Sequence, residues 1–240
     1  MAAASLQHRH RIDERMDDPS IDPREHDRAL AGLERLNRWS RSHWLLWPWL
    51  VDEARTRNAR GEALRVLDVA TGSGDAPLAL ARRARAAGLS IEWTLADRST
   101  HVLEVAARRA HEAGVAVRLV EADLFAGSIA AERHDVVTCS LFLHHCGELD
   151  APRALRAMAD AAEHAVLLTD LERSRPGLLL AWAGSRVLTR SPVVHFDAVA
   201  SVRGAFTLDE ARAIADSAGL AGARFERTWP ARWRMCWRRA

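Results

Sequence analysis

The chain has 240 residues, 34 basic against 32 acidic side chains, a formal net charge of +2 at neutral pH and 48% hydrophobic residues. That length suits one large α/β domain, and near-neutrality removes any general electrostatic pull towards nucleic acid. Three cysteines, Cys139, Cys146 and Cys236, lack the number and spacing of a disulfide framework or a zinc knuckle, so a reducing, cytoplasmic setting is expected.

The opening stretch lacks the apolar core of a secretory signal. Residues 1–22 are rich in Asp, Arg and His and are expected to be mobile. From Pro23 the spacing of Leu30, Leu33 and Leu36 predicts an amphipathic helix, followed by a second one broken or begun at Pro48. Residues 23–60 thus form a helical cap. Its Trp39, Trp44, Trp47 and Trp49 either line a ligand pocket or pack the helices onto the rest of the fold. The apolar runs around 44–51 and 178–188 are too short to cross a bilayer.

Residues 66–75, VLDVATGSGD, are the most informative stretch. A hydrophobic strand delivers Asp68 and turns through Ala70, Thr71, Gly72, Ser73 and Gly74 into a helix that opens with Asp75 and Pro77. Glycine at 72 and 74 permits a tight turn and a ligand lying against bare backbone. A dinucleotide fingerprint requires a third glycine at position 77, where this chain has proline. The loop therefore suits a ligand with a ribose and an adenine but no diphosphate, S-adenosylmethionine rather than NAD.

Residues 91–99 read as a second strand ending on Asp97 and Arg98, where a carboxylate reaches ribose hydroxyls. Residues 117–125 form a third strand closing on Asp123 and Leu124; the acid can accept from an adenine amino group and the leucine can cover the ring. A fourth strand spans 134–146, through Ser140, with His144 and His145 just past its end, and a fifth spans 164–172. Helical spacing marks 76–87, 99–113 and 150–163. This alternation predicts a doubly wound α/β fold, a mostly parallel sheet with its ligand crevice at the carboxyl edge. Residues 172–206 exceed what a connection needs and are expected to form a substrate lid: a helix, then an irregular stretch with His195, Asp197, Ser201 and Arg203. Thr207 and Glu210 form a capping box, and two short strands flank Trp229-Pro230.

In this ordered set the chain resembles the class I S-adenosylmethionine-dependent methyltransferases, over roughly residues 64–172. DVATGSGD is similar to the loop of the ubiquinone/menaquinone-biosynthesis enzymes, and SLFLHH to the "LHH" of small-molecule methyltransferases. The resemblance implies a Rossmann-like seven-stranded sheet with a reversed final strand, a catalytic domain over 61–240 beneath the helical cap, and S-adenosylmethionine as cofactor. It implies that Asp68, Ala70, Thr71, Gly72, Ser73 and Gly74 surround the methionine moiety. Asp97 would hold the ribose, Asp123 with Leu124 would frame the adenine, and Arg98 and Ser140 would also contact the cofactor.

A phenol or enolisable carbon must lose a proton when methylated, and His144 or His145 is suited to accept it at neutral pH. Adjacent residues leaving a strand point apart, so one of the two is expected to face the substrate, with His144 favoured. His195 with Asp197 is a second candidate base. No metal is expected, because the consecutive His144, His145 and Cys146 cannot easily converge on one ion. Methylases of nucleobase amines carry an Asn/Asp-Pro-Pro-aromatic sequence after the fourth strand; Cys139-Ser140-Leu141-Phe142 stands here, so nucleic acid is not the expected partner. The expected activity is methyl transfer to oxygen or carbon of a small, fairly apolar acceptor. A catalytically silent S-adenosylmethionine-binding protein is the alternative.

Overall fold

The computed structural model describes residues 6–18, 20–127, 129 and 132–239. Seven strands form one sheet: β1 (Leu64–Val69), β2 (Ile91–Asp97), β3 (Val117–Glu121), β4 (His134–Ser140), β5 (Ala162–Leu171), β6 (Arg224–Thr228) and β7 (Arg232–Arg238). Their order is β3-β2-β1-β4-β5-β7-β6. Neighbours from β3 through β5 pair in parallel, and β7 is antiparallel to both β5 and β6. The seven-stranded sheet with a reversed final strand is the expected fold.

Alternation along the inner strands explains the layering. Leu67, Val69, Val137, Cys139, Val166 and Leu168 face one core with α5 (Asp150–Ala161) and α8 (Leu208–Ser217). Val66, Leu95, Val136, Ala165 and Leu167 face a second core, closed by α3 (Asp75–Ala86), α4 (Thr100–Glu112) and α2 (Trp47–Asn58). Such two-sided burial is the mark of an inner parallel strand covered by helices on both faces.

The cap helices are α1 (Pro23–Ser40) and α2, the second begun rather than broken at Pro48. Asp22 caps α1 by accepting from the backbone amides of Arg24 and Glu25. Of the four tryptophans, Trp39 lines the large cavity described below. Trp49 is buried in the second core and Trp47 packs against it, while Trp44 lies beneath the guanidinium groups of Arg41 and Arg83.

Several boundaries differ from the sequence expectation. The third strand stops at Glu121, because Asp123 turns the chain by accepting from the Phe125 amide at 2.8 Å. The fourth stops at Ser140; Leu141 then takes a left-handed φ of 59° and Leu143–His145 form a 3₁₀ turn. The segment expected to form a lid is two helices, α6 (Arg175–Leu188) and α7 (Pro192–Gly204). The stretch expected to be irregular is helical because Ser191 caps it and Pro192 opens it, signals of a helix start. Apolar residues sit on every side of α7, so no clean stripe marks it in the sequence. The capping box of Thr207 and Glu210 opens α8.

Residues 6–18, expected from their charge to be mobile, lie across the lid and the loop after β4. The Arg9 guanidinium donates to the carbonyls of His144 (2.9 Å), Cys146 (2.6 Å) and Gly204 (2.5 Å). Asp197 accepts from the amides of Arg15 (2.8 Å) and Met16 (3.1 Å). Among the described residues no helix is long and apolar enough to cross a membrane.

Candidate active site

The turn after β1 reverses direction by placing Ala70, Gly72 and Gly74 at φ 49°, 54° and 77°. Alanine in that left-handed region carries a steric cost that glycine avoids, so the turn is held from outside. The Asp97 carboxylate, arriving from β2, accepts from the Gly72 amide (2.9 Å) and the Ser99 amide (3.0 Å). Thr138 of β4 donates its hydroxyl to Asp68 at 2.6 Å. Burial pushes the Asp68 carboxyl up to about 6. Arg109 of α4 pairs with Asp75 at the start of α3, donates to the Ser73 hydroxyl (3.0 Å) and reaches Glu34 of α1 (2.7 Å). Burial raises the Asp75 carboxyl despite that partner.

A cavity of about 1420 Å³ lies at the carboxyl edge of the sheet. It is lined by Asp68, Ala70, Thr71, Gly72, Ser73, Asp97, Arg98, Asp123, Leu124, Ser140, His144 and His145. That volume exceeds the roughly 300–1,000 Å³ of a typical single-ligand pocket, so a cofactor and an acceptor fit together. Gly74 does not line the cavity: a β-carbon there would meet Leu78 at 3.3 Å and Ala106 at 3.4 Å. Its role is to let α3 close against α4.

His144 is 5% exposed and held from two sides. Asp170, at the end of β5, approaches its Nδ1 at 2.6 Å and accepts from its backbone amide at 2.9 Å. Glu14, from the N-terminal segment, approaches its Nε2 at 3.7 Å. Burial opposes the imidazolium, but Asp170 and Glu14 outweigh it and raise the His144 pKa to about 10. The same pairing holds both carboxyls below their ordinary range against the opposing effect of burial. His145 turns to the same side, its Nε2 3.9 Å from Glu14 and its ring centroid 4.2 Å from that of His144. Strand geometry would have splayed the pair; a 3₁₀ turn separates successive residues by about a third of a turn, and both rings face the cavity. Cys146 does not join them, Glu14 does. Burial pushes the Cys146 thiol up to about 12. His195 and Asp197 are not a base pair at this site: His195 Nε2 meets the Thr189 carbonyl at 2.8 Å, and Asp197 holds the N-terminal segment.

A methyltransferase-domain family profile matches residues 66–164, from the strand that carries Asp68 to the start of β5. Over that span the chain is similar to the methyltransferase-domain family. The match takes in the turn, Asp97, Asp123 and the histidine pair. Across the whole chain the methyltransferase fold recurs in solved structures. Magnesium protoporphyrin IX methyltransferase from Synechocystis PCC 6803, with S-adenosylhomocysteine bound, is 18% identical with a TM-score of 0.53, the alignment covering 93% of this chain and 90% of that one. An O-methyltransferase family protein from Burkholderia thailandensis is 18% identical with a TM-score of 0.58, covering 90% and 63%. An O-methyltransferase family 2 protein from Planctomyces limnophilus in complex with apigenin is 19% identical with a TM-score of 0.54, covering 73% and 51%. At these identities the likeness concerns the fold. Comparison with curated proteins finds no match.

Glu14 and Arg232 also line the cavity, Asp170 supports it through His144, and none of the three is marked as a site residue by a motif. Asp170 left a signal, an acid ending an apolar strand, as Asp68 and Asp97 do. Glu14 sits in a charged run that has no periodicity, and Arg232 in an Arg/Trp alternation that exposed strand faces produce equally well.

Proposed function

We propose that this chain transfers a methyl group from S-adenosylmethionine to oxygen or carbon of a small, fairly apolar acceptor, a quinol, phenol or polyketide-like ring. The observation that carries the reading is one cavity in which the glycine turn and the acids of β1 and β2 share a wall with His144. The residues fit an adenosyl compound. A β-carbon at Gly72 would meet nothing within 4 Å, which leaves backbone open to a ligand. The buried Ser140 hydroxyl has no hydrogen-bond partner among the described residues. Asp68 and residues 70–73 would hold the methionine moiety, Asp97 with Arg98 the ribose, and Asp123 with Leu124 the adenine. Bound there, the sulfonium supplies an electrophilic methyl group.

The chain itself positions and shields. Holding two reactants at attack distance contributes about 7–11 kcal/mol to such a reaction. His144 meets the acceptor as an imidazolium, which favours an acceptor oxygen that has lost its proton. Glu14, beside it, accepts the hydrogen bond of the acceptor hydroxyl and takes its proton as the methyl group arrives and the oxygen turns strongly acidic, and Asp170 fixes the ring. His145 steers Glu14. Magnesium protoporphyrin IX, in the name of one structural neighbour, and apigenin, bound in another, are ring compounds and support this acceptor class.

Calorimetry with S-adenosylhomocysteine, followed by label transfer from S-adenosylmethionine to a panel of quinols and phenols, tests the proposal. One site per chain and a labelled product are expected. Tight binding with no transfer to any acceptor would favour a silent binding protein, and preference for NADH would overturn the cofactor assignment.

A further inference from the structure

The cavity has a charged pole that methyl transfer alone does not use. β7 runs antiparallel to β5, and its first residue, Arg232, pairs with Leu171, the last of β5. Arg232 therefore lies at the same carboxyl edge as the glycine turn and His144. Along that edge the strands follow β1, β4, β5, β7. Neighbouring strands are about 4.8 Å apart, so Arg232 stands roughly 14 Å from the end of β1, with the histidine turn between them.

Arg232 is 5% exposed and lines the cavity next to Ser40, Leu171 and Ala231; Leu180 and Ala181 line the same cavity. Nη2 donates to the Ser40 hydroxyl at 3.1 Å. Nε and Nη1 have no hydrogen-bond partner among the described residues. Asp170 is the acid whose charge Arg232 feels, yet no ion pair joins them. The Asp170 oxygens are committed to the His144 amide, His144 Nδ1 and the Leu171 amide, the last at 2.7 Å. Burial lowers the Arg232 pKa to about 10, which leaves it charged at neutral pH. A buried guanidinium is donor-only and planar, and its natural complement is a carboxylate; the unpartnered Nη1 and the second proton of Nη2 form the edge that such a group would take.

We propose that Arg232 recognises a carboxylate carried by the acceptor, on the end of the molecule remote from the cofactor turn. The proposal rests on the methyltransferase reading of the cavity and narrows its substrate class to aromatic or polyketide-like acids. The acceptor lies with its apolar body against Leu180, Ala181 and Leu171, its carboxylate on Arg232 and its reacting atom towards His144.

Protein saturated with S-adenosylhomocysteine is titrated with 4-hydroxybenzoate and 4-hydroxycinnamate and with their primary amides. The acids are expected to bind about tenfold tighter than the amides, in line with hydrogen bonds to a charged group. Arg232→Gln should erase the preference and Arg232→Lys keep part of it, with S-adenosylhomocysteine affinity the same in all three proteins. Acids binding no better than amides to the unaltered protein, including no binding of either, overturns the proposal whether or not the variants fold. So does a preference that survives Arg232→Gln. Weaker S-adenosylhomocysteine binding by folded Arg232→Gln would assign the arginine to the cofactor's own carboxylate instead. Failure of the unaltered protein to bind S-adenosylhomocysteine at all is a different result, and it would remove the methyltransferase reading itself.

Discussion

With Asp170 at one ring nitrogen and Glu14 facing the other, His144 couples its protonation both to folding and to chemistry. Its folded pKa of about 10 lies above the ordinary value of about 6.5. The stabilisation is therefore complete below about pH 6.5 and is lost as pH rises through about 10. His144→Gln removes the cation and strands the buried Asp170 carboxylate, a loss of about 3–5 kcal/mol for a broken buried pair. The melting temperature of the variant should fall well below that of the parent at pH 6 and approach it at pH 10.5. Equal deficits at both pH values would mean that the ring contributes packing alone. Turnover should drop by about 10²–10³, the loss of one charge-stabilising donor, with S-adenosylhomocysteine affinity retained. Unchanged turnover would remove His144 from the reaction.

At the scale of elements, the glycine turn is held by its neighbours more than by its own sequence. Asp97 fixes the Gly72 amide, and Arg109 ties α4 to Ser73, to Asp75 of α3 and to Glu34 of the cap helix α1. Arg109→Met leaves Asp75 partly buried without its cation, which costs about 1–3 kcal/mol. Because the lost bonds pin the turn, S-adenosylhomocysteine should bind roughly tenfold more weakly, the equivalent of about 1.4 kcal/mol. A lower melting temperature with unaltered affinity would show a brace that does not reach the site. The turn itself is legible in the sequence because Gly72 and Gly74 satisfy a local backbone demand, and the strands are legible because two-sided burial needs continuous apolar runs. Arg109 and Glu34 are not legible: their pairing joins helices 75 positions apart, and nothing in either helix marks it. Ala70 hides its left-handed conformation for the same reason, since the constraint on it comes from β2. Helix α7 escapes because a helix with apolar residues on every side has no stripe.

At the scale of the whole molecule, residues 6–18 join parts of the chain that are remote in sequence. Arg9 bonds the histidine turn and the end of α7, Glu14 meets His144 and the Ser201 hydroxyl, and Asp197 of α7 secures the backbone at Arg15 and Met16. The segment thus closes the cavity between α7 and the turn after β4, the side on which we propose that the acceptor lies. The cofactor side is walled by β1, β2 and α1, where the segment makes few bonds. Deleting residues 1–18 should therefore separate the two half-sites. S-adenosylhomocysteine should bind within a few-fold of the parent affinity. Turnover should fall by at least the roughly 10²–10⁴ attributed to the proton-handling groups, because Glu14 leaves with the segment. Full-length Glu14→Gln distinguishes closure from chemistry: it keeps the segment in place and removes only the carboxylate. If Glu14→Gln matches the deletion in rate while amide exchange in α7 and residues 141–147 stays slow, the segment acts through the Glu14 carboxylate. If the deletion is far slower and those amides exchange freely, the strap orders the acceptor pocket as a body.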